Sequence, residues 1–93
     1  MKKLKKESAE NKISVKNVYV FYPLNFDDVQ YSIDALMDGT PLIISFSKVD
    51  EKNTQRFLDF LSGAIYALKG RVLQLGQRDF LFSPDGVEVI FDN

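Results

Sequence analysis

The sequence contains neither cysteine nor histidine. Without thiols there is no disulfide framework, no thiolate nucleophile and no cysteine-based zinc site, and nothing suggests an oxidising compartment. Without imidazole the commonest neutral-pH general base, the familiar catalytic triads and the most frequent transition-metal ligand are all excluded. A catalyst made from this chain would work with carboxylates, lysine, tyrosine or serine alone, and neither a metal nor a cofactor is called for. The five glycines, at 39, 63, 70, 76 and 86, stand singly, so no glycine-rich phosphate loop occurs and nucleotide binding has no support. Apolar runs such as 41–46 and 57–68 are too short or too interrupted to span a membrane, and no signal-peptide core follows the first lysines. A cytoplasmic location is expected.

What is present suits one small folded unit. At 93 residues, with 45% apolar and 13% aromatic residues, the chain has enough to pack a single core and is too short for two. Its formal charge of -1 hides an asymmetry: residues 1–17 carry six lysines and two glutamates, and the rest carries six basic and eleven acidic residues. The expected organisation is a basic tail over 1–17 and a globular domain over 18–93. Within the tail, Leu4, Ala9, Ile13 and Val15 are too sparse for a continuous apolar stripe, which predicts a frayed helix or disorder. Lys2, Lys3, Lys5 and Lys6 read either as attraction to an anionic lipid or polymer, or as a solubilising start.

Residues 18–22, dense in valine, tyrosine and phenylalanine and closed by Pro23, predict a first strand. Asn25 then stands as an N-cap, with Asp27 and Asp28 near the positive end of a helix and Leu24 and Val29 spaced as a hydrophobic staple. Phe26, Val29, Ile33, Leu36 and Met37 keep one face of that helix, and Gly39 and Pro41 end it. Residues 41–47 suit a buried central strand, Asp50 caps a second helix running through Leu68, and Gly70 stops it. Beyond Arg71 the period shortens, predicting strands at 71–75, 79–83 and 87–91, with a turn at Pro84, Asp85 and Gly86. The order βαβαβββ predicts an α/β two-layer sandwich: one mixed sheet of about five strands covered by two helices.

Three groups of residues invite a functional reading. On the second helix, Phe57, Leu58, Phe60, Leu61, Ala64, Ile65, Ala67 and Leu68 occupy about half the circumference, wider than the ordinary core-facing stripe of roughly 100°. Gly63 lies at the edge of this arc, where glycine costs about 1 kcal/mol relative to alanine. Phe60, Gly63 and Ala67 are therefore candidates for self-association, against the plainer reading that Gly63 packs closely within its own domain. Asp27 and Asp28 resemble a carboxylate pair on paper, yet helix neighbours point apart, and capping explains them better. Arg71 and Arg78 are the only basic residues among the late strands of an acidic body, so no nucleic-acid partner is expected.

The run QRFLDFLSGAIYALKG at 55–70 resembles the signature helix of the SepF family of cell-division proteins. DFLFSPDGV at 79–87 is similar to that family's late strand pair, and YPLNFDD at 22–28 to its first strand-to-helix junction. The resemblance covers residues 18–90 or so in the family's order. It implies a non-catalytic domain that homodimerises, assembles further in some members, and binds the C-terminal tail of the tubulin-like protein FtsZ at the division site. Phe80 and the position of Gln74 correspond to part of the tail-binding surface in some members, and Phe82 shares a strand face with Phe80. This chain departs from the family at Gln74, where a basic residue is frequent, at Leu24, which replaces a common arginine, and at Ser45 and Phe46, which replace an asparagine-aliphatic pair.

Members usually begin with an amphipathic membrane-binding helix and a long linker, whereas residues 1–17 lack an apolar face. That difference implies a shortened chain or a relative that depends on a partner for membrane contact, with membrane binding of its own weak or absent. Two other readings remain: a stand-alone structural oligomer with no FtsZ role, and a small enzyme using aspartate and tyrosine.

Overall fold

The computed structural model describes residues 18–90 and 92, which form a four-stranded sheet with two helices on one face. The expected basic tail at 1–17 lies outside the described residues. Chain order runs β1 (Tyr19–Phe21), α1 (Phe26–Met37), β2 (Leu42–Ser45), α2 (Glu51–Ala67), β3 (Arg71–Gln74) and β4 (Asp79–Ser83). In space the strands lie β1-β2-β4-β3, with β1 and β2 parallel and β4 antiparallel to both its neighbours. The last strand of the chain is thus inserted between the second and third, and β2 and β3 run in the same direction with β4 between them. This mixed sheet under two helices is the expected two-layer sandwich.

The two helices begin as their sequences dictate. Asn25 Oδ1 accepts the Asp28 amide at 3.0 Å, and the Asp28 carboxylate in turn accepts the Leu24 amide at 2.9 Å, a reciprocal closure of the first turn. Asp28 is thereby committed to capping. Asp50 Oδ1 accepts the Asn53 amide at 2.8 Å and its carbonyl accepts the Thr54 hydroxyl. The expected staple does not close, because Leu24 is exposed while Val29 is buried against the sheet.

The helix ends contrast. At the end of α1, Gly39 takes the left-handed conformation, with φ 87°, and the amides of Gly39 and Thr40 bond back to Leu36 and Ala35. At the end of α2 the same pair of bonds runs from Lys69 to Tyr66 and from Gly70 to Ile65, but the left-handed residue is Lys69, with φ 61°. Gly70 is needed for a different reason: a Cβ there would collide with the Ser83 carbonyl and with the Ile65 side chain. The glycine expected to turn the helix instead lets it approach β4.

Register sorts the side chains. Leu42, Ile44, Phe80, Phe82 and Val72 share the helix-covered face with Phe21, and the core closes with Phe46 and with Val29, Leu36, Phe57, Leu61 and Ile65 from the helices. The other face has no layer over it among the described residues. Val20, Ile43, Leu81 and Leu73, each paired with the next, draw an apolar row across all four strands of that face.

The expected final strand at 87–91 is not seen over 87–90, where no ladder forms; residue 91 lies outside the described residues. Topology excludes one partner. Both edges of β4 are taken, by β2 and β3, so the chain leaving Ser83 cannot pair beside the strand it has just completed.

Candidate functional site

The two groups of candidate residues fall on different parts of the domain. Gln74 and Phe80 are direct partners across the β3-β4 ladder, so the sequence-based pairing of these two holds in space. Gln74 is exposed at the end of an edge strand, its amide donating to the Gly76 carbonyl at 2.9 Å. Phe80 is 8% exposed and stacks edge-on against Phe46 at 5.8 Å, while Phe82, opposite Leu42 and Val72, has no exposed surface. What this end of the sheet presents outward is Gln74, the rim of Phe80 and the exposed Leu75, with Phe82 packed farther along the same face.

The start of α2 is held over this end of the sheet by Arg78. Its guanidinium donates to the Val49 carbonyl and, at 2.6 Å, to the Thr54 hydroxyl, tying the β3-β4 connection to the loop and first turn of α2. The Arg78 carbonyl also accepts the Phe46 amide at 2.8 Å. Sequence reasoning counted Arg78 only as a charge. Its spacing from Thr54 in the chain carries no periodic signal, so this role emerges only from the fold.

The second group lies on the outer side of α2. Phe57, Leu61 and Ile65 face the core, and the remainder of the wide apolar arc is left over. Phe60 is 39% exposed, Gly63 and Ala67 are exposed, and Tyr66 beside them is 83% exposed. A Cβ at Gly63 would meet nothing within 4 Å, which removes close packing inside the protomer as the reason for this glycine. Phe26, at the start of α1, extends the patch: its ring meets Phe60 edge-on at 4.9 Å and Phe57 at 6.1 Å. The sequence reading put Phe26 on one helix face with Val29, Ile33, Leu36 and Met37; of these Val29 and Leu36 are buried, whereas Phe26 is partly in solvent and joins the surface cluster.

The same arrangement of residues and elements recurs in known proteins. The family model described as cell division protein SepF matches residues 18–89. The chain belongs to the SepF family. Among its SepF relatives, the protein of Oceanobacillus iheyensis is 38% identical over 76 residues, covering 82% of this chain and 53% of the relative. That of Syntrophomonas wolfei is 40% identical over 76 residues, covering 82% and 54%. The chain therefore spans about half the length of the curated SepF proteins it matches. Solved structures share the fold: a SepF-like protein from Archaeoglobus fulgidus superposes with a TM-score of 0.72 at 18% identity over 82% of this chain and 94% of that one. SepF from Methanobrevibacter smithii, solved in complex with FtsZ-CTD, superposes with a TM-score of 0.66 at 18% identity, covering 81% and 98%. Among the described residues no helix of this SepF domain is long and apolar enough to cross a membrane, and no group of acidic side chains is placed to hold a metal ion.

Proposed function

We propose that this SepF domain is a non-catalytic adaptor of the cell-division apparatus that homodimerises and holds the C-terminal tail of FtsZ. The observation that carries the reading is the solved relative in complex with FtsZ-CTD, whose fold this chain shares over 81% of its length. In this reading the tail runs past Gln74 and the rim of Phe80, and Phe82 forms the packed floor beneath them. Phe60, Gly63 and Ala67 contribute to self-association, which joins two weak tail sites so that their avidity exceeds either alone. The domain then acts where FtsZ assembles, at the division site. Unpartnered apolar side chains on α2 support the dimer, because an exposed cluster rimmed by polar residues is the signature of a protein contact.

A titration of the full chain with an FtsZ C-terminal tail peptide tests the reading. Binding is expected to weaken about ten-fold in Phe80→Leu, which keeps an apolar side chain in the core but loses the aromatic rim. Gln74→Lys, restoring the basic residue frequent in the family, is expected to tighten binding in a salt-dependent way. Absence of peptide binding by the folded wild-type chain would leave the stand-alone oligomer as the better account, and unchanged affinity in a folded Phe80→Leu variant would move the site elsewhere.

A further inference from the structure

Arg78 stands at the end of the sheet where Gln74 and Phe80 lie, two residues before Phe80 in the chain. Its side chain reaches the helix side of the sheet, because it bonds to Thr54 in the first turn of α2. One amino group, Nη2, donates to the Val49 carbonyl and to the Thr54 hydroxyl. That hydroxyl donates in turn to the Asp50 carbonyl at 2.8 Å, which leaves its lone pairs turned toward Arg78. The fork is thus held from one side by two neutral oxygens. Nε is enclosed without an acceptor, and Nη1, which makes no hydrogen bond among the described residues, is not enclosed. Bracing the loop against α2 accounts for Nη2. It accounts neither for the charge nor for Nη1, and the half-buried guanidinium keeps most of its donor capacity unused.

We infer that Arg78 is a specificity residue of the proposed tail site, presenting Nη1 to a carboxylate of the bound peptide; this rests on the reading that the FtsZ tail runs past Gln74 and the rim of Phe80. Three arguments favour a carboxylate. A guanidinium stays charged at any working pH and forms its strongest hydrogen bonds with carboxylates and phosphates, of which an unmodified peptide carries the first. The two anchoring bonds hold the fork in place beforehand, so little side-chain freedom is lost on docking. The body around it is acidic, with eleven acidic against six basic residues from position 18 onward, so an acidic group on a ligand is repelled except where a cation is fixed. The rim of Phe80 then supplies apolar contact, and Arg78 sets the position at which the peptide lies.

Anisotropy titrations of the full 93-residue chain with a labelled FtsZ C-terminal tail peptide test this. The series comprises the native peptide, versions with each aspartate or glutamate replaced in turn by its amide, and one with an amidated C-terminus. One of the modified peptides is expected to bind about ten-fold more weakly and to lose most of the salt dependence of the native peptide. That peptide identifies the carboxylate as a side chain or the chain end. Arg78→Gln is expected to weaken the native peptide by a similar factor, yet to bind the weakened peptide as well as the wild-type chain does, because the pair is already broken. Arg78→Lys, which keeps the charge and loses the fork, should fall between and retain the salt dependence; if Arg78→Gln fails to fold, this variant and the peptide series decide the matter. An Arg78 that only braces the loop would lower the denaturant midpoint on substitution and weaken every peptide alike, which would overturn the inference. Native-peptide binding that no carboxylate replacement weakens would overturn it too, while leaving the tail site standing. No binding of the native peptide by the folded wild-type chain would remove that site and the inference together.

Discussion

Lys69 and Gly70 divide between them two tasks that a single glycine handles at the end of α1. Lys69 holds a left-handed backbone that an L side chain tolerates poorly, and Gly70 supplies the space that lets α2 end against Ser83. Opposite outcomes follow at neighbouring positions. Lys69→Gly is expected to stabilise the domain by about 1 kcal/mol, by relieving the backbone at the position where glycine is favoured. Gly70→Ala is expected to destabilise it by about 1–3 kcal/mol, since the added methyl meets a strand carbonyl and a core isoleucine rather than a flexible side-chain tip. Denaturant midpoints of the two variants check both signs, and a neutral Gly70→Ala would mean that β4 yields easily. The sequence reading located this helix end within a residue because a glycine after an apolar period is a strong stop. It could not tell which residue turns, since that depends on β4 being inserted beside β3, a fact of topology with no local trace. Capping was more legible: Asn25, Asp28 and Asp50 act within three or four residues of themselves, and the bonds found are those the spacing implied.

Helix α2 is the element in which a surplus of apolar surface was visible in advance. A wheel shows how much of a helix is apolar, and the sheet beneath accepts only the width that one layer can cover, so Phe60 and Ala67 are left outside. Gly63→Lys addresses this face. With nothing near Gly63 inside the protomer, the folded monomer should lose at most about 1 kcal/mol or gain slightly from the better helix former, while self-association weakens. Sedimentation velocity checks it, and an unchanged assembly in a stably folded variant would take this helix out of the contact. At the other extreme, the segment at 87–90 has the alternating pattern of a strand and none of the pairing. Periodicity reports what a segment can bury, and whether a neighbouring edge is vacant is decided by the order in which the other strands were laid down.

For the whole molecule, the division of charge is the property most directly read from composition: an acidic body follows a stretch with six lysines in seventeen residues. Lysines without an apolar face attract anionic surfaces through screened electrostatics alone. Flotation with neutral vesicles at physiological salt should therefore recover little protein, with anionic vesicles retaining it only at low salt; strong retention on neutral vesicles would contradict this. The proposed FtsZ-tail site rests on the family motif around Phe80, and the surface at that place was not legible in the sequence. Alternation put Phe80 and Phe82 on one strand face without revealing that the helices cover that face, which is why Phe82 is wholly enclosed and Phe80 nearly so. Beyond both sites lies the row of Val20, Ile43, Leu81 and Leu73 on the uncovered side of the sheet, opposite the side that carries α2. Were each of these two surfaces to meet its own kind about a two-fold axis, the contacts would stand back to back, and neither could satisfy the other within a pair. Such a protomer has a valence of two, and the object it generates is a chain of indefinite length whose growth is limited only by concentration and by whatever blocks one face.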